Sequence, residues 1–363
     1  MAMRVSVDKW LFTVILLLVF VGLVMVFSAS AVMAQARFGS SYVFLFKQLG
    51  WAAAGMAAML VVMNVDYHHY QRSSIVFTFL GVTTVLLVAV FLFRDSHNTH
   101  RWIKAGILSF QPSELAKPAI ILYLAYFLAT RWQDITDWKH VLIPAAAPSL
   151  LLAALIVKEP DLGTAVACMA ITASVLYVAG MQMRYLAYGF AASLLPLYVL
   201  IVRVPWRWHR ITAFLNPWQD PQGHGFHIIQ SMIAVSTGGL LGAGLMEGKQ
   251  KLFYLPEPQT DFIYANIAEE LGLWGSVLVV ALFSIFLGRG IRVALRTQDP
   301  FARFLATGIT AMVVVQALIN ISVVLGMMPT KGIPLPFISY GGSSLFITLA
   351  SVGVLLNITQ QTD

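Results

Sequence analysis

Charge and cysteine are what this chain has least of. Only 11% of its 363 residues are Asp, Glu, Lys or Arg, against 59% hydrophobic residues, and mean hydropathy is +0.79. That balance excludes a soluble domain and implies a polytopic membrane protein. The single cysteine, Cys168, excludes an intramolecular disulfide. Lying inside an apolar run, it suits a small core residue better than a nucleophile or metal ligand. No P-loop, glycine-rich dinucleotide fingerprint, Cys/His zinc spacing or nucleophile-elbow serine occurs. No nucleotide is therefore expected, and an enzyme built on this chain needs a substrate that carries its own leaving group. No internal repeat is evident, which disfavours a repeat-built transporter. The formal charge of +7 is spread over loops that flank apolar runs. Anionic lipid headgroups, and not nucleic acid, are the expected partners of those cations.

What is present is mostly scaffold. Ten apolar runs are long enough to cross about 30 Å of hydrocarbon. They lie near 10–34, 48–65, 74–93, 114–130, 141–157, 162–183, 185–202, 262–288, 304–328 and 335–357. The first is longer than the apolar core of a cleavable signal and reads as a span. The expectation is one all-α polytopic membrane domain over 1–363, with about ten transmembrane helices and both termini on one side. Arg4 and Lys9, Arg131 and Lys139, and Arg289, Arg292 and Arg296 then share a compartment, which the positive-inside rule makes the cytoplasm. Arg94, Arg101 and Lys104 fall on the opposite side. The stretch 203–261, between spans seven and eight, is one long extracytoplasmic loop, and its residues 226–235 carry the spacing of a short amphipathic helix.

The polar chemistry concentrates in a few places. In Lys249–Gly272, KQKLFYLPEPQTDFIYANIAEELG, Asp261 is the last polar residue before an apolar run, and Glu269 and Glu270 follow it. Asp261 suits a helix N-cap. Three acids entering lipid together also suit a protein-lined polar site, and Glu270 suits a structural pairing with a base on another helix. Ahead of the fourth span come Arg101, Trp102 and Lys104, then FQPSELAK, where Glu114 and Lys117 stand three residues apart on one helix face. They read equally as an internal ion pair or as the lining of a polar cavity. Glu159 and Asp161 form an acidic turn, most simply a solvated one. MPTKGIPLPFISYGGSSL, 328–345, brings Lys331 and Ser343 into irregular backbone close to membrane depth, which is tolerated only where protein or water covers it.

The FQPSE–K segment, the EPDLGT turn, LPEPQTDFIYANIAEELG and PTKGIPLPFISYGGSSL resemble, in that order, the signature segments of the SEDS family. QKLFYLPEP, PTKG and FISYGGSSL look more like its division branch, FtsW, than its elongation branch, RodA. The resemblance implies a peptidoglycan glycosyltransferase of the bacterial inner membrane that polymerises lipid II. Its implied partners are a class B penicillin-binding protein of the FtsI-like transpeptidase kind and other division proteins. The family's functional acid maps onto Asp261, which would act as general base for inverting attack, with polyprenyl pyrophosphate leaving. Arg101, Lys104, Lys117, Arg210 and Lys331 would meet the pyrophosphate, Trp102 would meet a sugar, and Ser343 would add a polar contact. Mg2+ or Mn2+ would be held by Asp261 and Glu114. The alternatives are a lipid II flippase, a RodA-type elongation polymerase and a structural scaffold for division partners.

Overall fold

The computed structural model describes residues 7–93, 101–105, 108–131, 138–252 and 254–361, without the side chains at 104, 105, 108, 138 and 139. Twelve α-helices are described: α1 Lys9–Phe38, α2 Val43–Asn64, α3 Ser73–Ala89, α4 Pro112–Thr130, α5 Ile143–Lys158, α6 Leu162–Val178, α7 Met183–Val202, α8 Pro205–Leu215, α9 Phe226–Gly238, α10 Ile263–Arg296, α11 Pro300–Val324 and α12 Gly342–Thr359. The only described strands are β1 Ile103–Ala105 and β2 Leu108–Phe110, an antiparallel pair ahead of α4. Each of the ten predicted spans coincides with a helix. α9 is the amphipathic helix expected at 226–235, and α8 is an addition inside the long loop. Most boundaries shift by up to five residues, and two differ by more. α10 runs on to Arg296, and the last helix starts at Gly342, because Pro334 and Pro336 keep the chain before it irregular.

Eight of these helices are long and apolar enough to cross a bilayer by length and composition, α3 and α5 counted with the helical turns that extend them to Leu92 and back to His140. α4 falls outside that group because Glu114 and Lys117 sit in its first turns, and α6 because it has 17 residues. This is a multi-pass membrane protein. α4, α11 and α12 form its centre; 78% of the α12 span is buried, whereas no residue of α7 is.

Two polar contacts fix α1 against α10. Asp8 caps α1 through the amides of Trp10 and Leu11 and receives the guanidinium of Arg289. Its own amide donates to Thr359 Oγ1 at 3.2 Å, so the start of α1 and the end of α12 meet at this end of the bundle. At the other end, Ser28 Oγ donates to Glu270 at 2.6–2.7 Å. Twenty residues of helix at about 1.5 Å each separate Asp8 from Ser28, roughly the 30 Å of a hydrocarbon core.

α10 is broken where it meets this upper contact. Gly272 has φ 63° and ψ −157°, a region open essentially to glycine alone, and it divides the helix into 263–271 and 273–296. A break in lipid strands backbone groups, and each must find a partner within the protein. Here the turn after α9 supplies them. Ala243 N and Gly244 N donate to the carbonyls of Glu269 and Glu270 at 2.9 and 3.0 Å, and Leu273 N donates to Gly239 O at 2.9 Å. A Cβ at 272 would lie 2.4 Å from Gly242 N. Gly272→Ala combines this clash with backbone strain of about 1–3 kcal/mol. It is expected to lower the melting temperature of the detergent-solubilised protein by several degrees, and an unchanged value would show that the break does not depend on glycine.

Candidate active site

Asp261 sits two residues ahead of α10, just before its N-cap Phe262, and its backbone is pinned from both sides. Asn320 Nδ2, from the C-terminal end of α11, donates to Asp261 O at 2.8 Å and to Ile333 O at 2.7 Å. Ser339 Oγ donates to Thr260 O at 2.6 Å and Tyr340 N to Gln259 O at 2.8 Å. Asn266 Nδ2 returns to Pro258 O at 2.9 Å. The irregular segment before α12 therefore serves as the second rail of the Asp261 loop. Gly332 lies against the carboxylate itself: a Cβ there would be 2.6 Å from Asp261 Oδ2.

The half-buried Asp261 carboxyl is pushed up to about 7 by burial, helped by the negative charges of Glu257 and Asp161 and opposed by Arg101 and Arg210. Arg101 is held by the acidic turn, donating through Nε to Glu159 O at 3.1 Å and through Nη2 to Pro160 O. Asp161 caps α6, accepting from Thr164 N at 3.1 Å and Thr164 Oγ1 at 2.7 Å. Arg210 rides over the Trp206 ring at 5.0 Å, on α8. Neighbouring Arg207 fixes that helix by donating to Leu200 O and Val157 O. Burial pushes the Lys331 ammonium down to about 8; Asp161 works against that shift, and Arg210 and Arg207 work with it. Arg101 and Arg210 thus stand in the field of Asp261, and Lys331 and Arg210 in that of Asp161. Chemically, a carboxyl titrating near neutrality can take a proton, and the cations beside it can meet an anion.

Other predicted site residues go elsewhere. Glu114 and Lys117 are buried at 3% and 2% exposure and pair with each other at 2.8 Å. Lys117 also donates to Gln316 Oε1 at 2.6 Å, and Ser344 donates to Glu114 Oε2 at 2.8 Å. This is a packing knot between α4, α11 and α12 and not a cavity lining, because both charges already have partners. Ser343 is likewise buried in the first turn of α12. Glu270 is structural, taking Lys251 Nζ at 2.7 Å beside Ser28, and Glu269 takes the amides of Lys249 and Gln250. Trp102 is half-buried at the start of the β1 hairpin, and the side chain of Lys104 lies outside the described residues.

Glu159 is not the solvated residue that a surface turn suggests. It is fully buried, both its oxygens lack a hydrogen-bond partner, and burial with Asp161 beside it pushes it up to about 8. Sequence reading also missed His227 and Asn320. His227 stacks on Phe262 at 5.8 Å, and burial together with Arg210 holds its imidazole below its ordinary value. The signal for Asn320 was an amide inside an apolar run; His227 carried none. The paired carboxylates expected to hold a divalent cation do not fit one, since Glu114 is committed to Lys117 and Ser344. Among the described residues no group of three or more His, Cys, Asp or Glu is placed to hold a metal ion.

A family model described as "Cell cycle protein", covering FtsW, RodA and SpoVE, matches residues 8–363. The chain belongs to the FtsW/RodA/SpoVE family. It is 43% identical to stage V sporulation protein E of Bacillus subtilis over 98% of both chains. It is 44% identical to the probable peptidoglycan glycosyltransferase FtsW of Geobacter metallireducens, over 93% of this chain and 90% of that one. Among solved structures it matches a chain of a peptidoglycan synthase complex with a TM-score of 0.81 and 28% identity over 98% of both. The rod shape determining protein RodA of Thermus thermophilus matches at 0.72 and 25% over 99% of both. The SEDS resemblance of the four motifs is thereby established, as is the RodA-like polytopic fold.

Glu159→Gln, which keeps the shape and removes the titration, probes the acidic turn. A folded-state value of about 8 above the ordinary 4.5 means that the wild type is most stable below 4.5 and loses stability as pH rises through 8. The variant's melting temperature should therefore exceed the wild type's by a margin that widens between those pH values. A margin constant with pH would contradict the burial of an uncharged acid.

Proposed function

We propose that this chain is a peptidoglycan glycosyltransferase that polymerises lipid II during bacterial cell division, with a class B penicillin-binding protein as its crosslinking partner. The observation that carries the proposal is Asp261, an acid raised to about 7 that faces Arg101 and Arg210 at the end of the bundle away from the two termini. The named FtsW relatives and the synthase-complex neighbour support the reaction class, and the complex supports a partner. Identities above 40% to FtsW and SpoVE, against 25% to the RodA chain, favour division over elongation.

The chemistry follows from the residues. An acceptor sugar hydroxyl attacks the anomeric carbon of the donor and gives its proton to Asp261. The new glycosidic bond forms as the bond to the polyprenyl pyrophosphate breaks, with inversion at that carbon. The leaving pyrophosphate keeps the electron pair, and Arg101, Arg210 and Lys331 stabilise its charge. With ten membrane crossings and Arg289, Arg292 and Arg296 on the cytoplasmic side, both termini would lie in the cytoplasm and Asp261 at the extracytoplasmic face of the inner membrane, a reading that the positive-inside rule supports.

The test is glycan synthesis from purified lipid II by the protein with its candidate partner, the partner being transpeptidase-dead and without a polymerase of its own. Wild type should make product, and Asp261→Asn should lose about 10²-fold or more, the share of a general base. Equal product from both would remove Asp261 from the reaction. No product from either, when both fold and bind the partner, would favour a lipid carrier.

A further inference from the structure

One imidazole beside the charged site has no task in the reaction above. His227 is the second residue of α9, and its ring stacks on Phe262, the residue after Asp261, with centroids 5.8 Å apart and planes 13° from parallel. Three residues earlier, His224 stacks on His209 of α8 at 4.6 Å and 3°, which holds the start of α9 against the helix that carries Arg210. The turn between the two helices is closed as well. Asp220 accepts from the amides of Gly223 and His224 at 3.1 and 2.9 Å, and Gly225 N donates to Asp220 O at 3.0 Å. Further along α9, Ser231 Oγ donates to Val324 O at 2.7 Å. The imidazole is therefore held in place, with Phe262 against one face and Arg210 near enough to act on its charge.

The two ring nitrogens differ. Nδ1 is sealed in the protein without a hydrogen-bond partner, whereas Nε2 is not sealed. Because burial and Arg210 disfavour the charged ring, only one nitrogen carries a proton at neutral pH. Buried donors without an acceptor are rarer than buried acceptors without a donor, so the proton belongs on Nε2. A ring used for packing alone would gain nothing from the orphaned Nδ1, which phenylalanine would avoid. What the imidazole adds over a phenyl ring is one N–H of fixed direction beside a guanidinium. Arg210 attracts an anion by its charge, and a neutral donor orients that anion without bringing in a further positive charge.

We propose that His227 is a further substrate-binding residue, whose Nε2–H donates to an oxygen of the sugar-linked pyrophosphate beside Arg210, an assignment that rests on the proposed glycosyl transfer. The imidazole keeps its proton throughout, so the pyrophosphate leaves as the anion. Because its ring lies on Phe262, His227 fixes how the leaving group sits relative to the Asp261 loop.

Two substitutions separate the hydrogen bond from the packing. His227→Phe keeps a ring stacked on Phe262 and removes both nitrogens, whereas His227→Gln gives up the ring and returns an N–H near the place of Nε2. Titration calorimetry of the full chain in detergent at neutral pH, with inorganic pyrophosphate as the probe, reads the head-group contact alone. Wild type and His227→Gln should bind within about twofold of each other, and His227→Phe about tenfold more weakly, the loss of one hydrogen bond to a charged group. Unchanged affinity in His227→Phe, or affinity kept in His227→Phe and lost in His227→Gln, would make His227 a packing residue and overturn the proposal. So would a wild type that binds no pyrophosphate. The titration involves no turnover, and the order of the three affinities should persist in an Asp261→Asn background. Its outcome is therefore independent of whether Asp261 is the base, which the polymerisation assay decides, and the two readings fail separately.

Discussion

A transmembrane helix that breaks must have its freed backbone groups satisfied from within the protein, and the rest of this structure follows from how that is done at Gly272. Two carbonyls released by the break are taken by amides of the turn after α9, and one amide is returned to that turn. The same turn draws in Lys249, Gln250 and Lys251, which Glu269 and Glu270 clamp by charge and by backbone amides. Three backbone bonds and two buried acids thus fix a long loop onto one helix end. The loop leaves this anchorage as LPEPQTD and delivers Asp261.

The neighbourhood of Asp261 combines a rigid backbone with unsettled charge. Asn320, Ser339 and Tyr340 hold the chain around it, so the acid is positioned before any ligand arrives. Its carboxyl and the Lys331 ammonium are pushed from opposite directions toward the same pH region by desolvation. At neutral pH each lies near the point of changing charge, a poise suited to proton transfer beside a departing anion. The buried Glu114–Lys117 pair shows the contrast: two charges more deeply enclosed than Asp261 and Lys331, with every role already taken by each other, Gln316 and Ser344. That pair holds α4, α11 and α12 together.

Much of this was legible in the sequence. Uninterrupted apolar runs gave the ten helices because length and hydropathy are local properties. Asp261 was conspicuous because an acid directly before an apolar run has few cheap explanations. Boundaries failed where proline acted from a neighbouring residue, as at 335–341. The partners of charges were not legible at all. Glu114 could equally have faced a cavity, and only the packing of α11 and α12 against α4 decided it. Glu159 read as surface because a tight acidic turn is ordinarily solvated; its burial depends on helices distant in sequence. Gly272 was visible, but the glycine-rich 236–245 stretch acquired a reason only when its backbone was found against the break. His227 lay beside Phe262 without any local sign.

The most direct test of the central claim is the pH dependence of kcat/KM for glycan polymerisation, measured for the wild type and for Lys331→Arg. An essential base at about 7 and an essential cation at about 8 give a narrow bell. Activity should rise as Asp261 loses its proton and fall as Lys331 loses its own. Arginine, which stays charged, should move the alkaline limb upward and leave the acid limb in place. Activity that stays flat as pH falls through 7 toward the ordinary carboxylate range would contradict Asp261 as the titrating base.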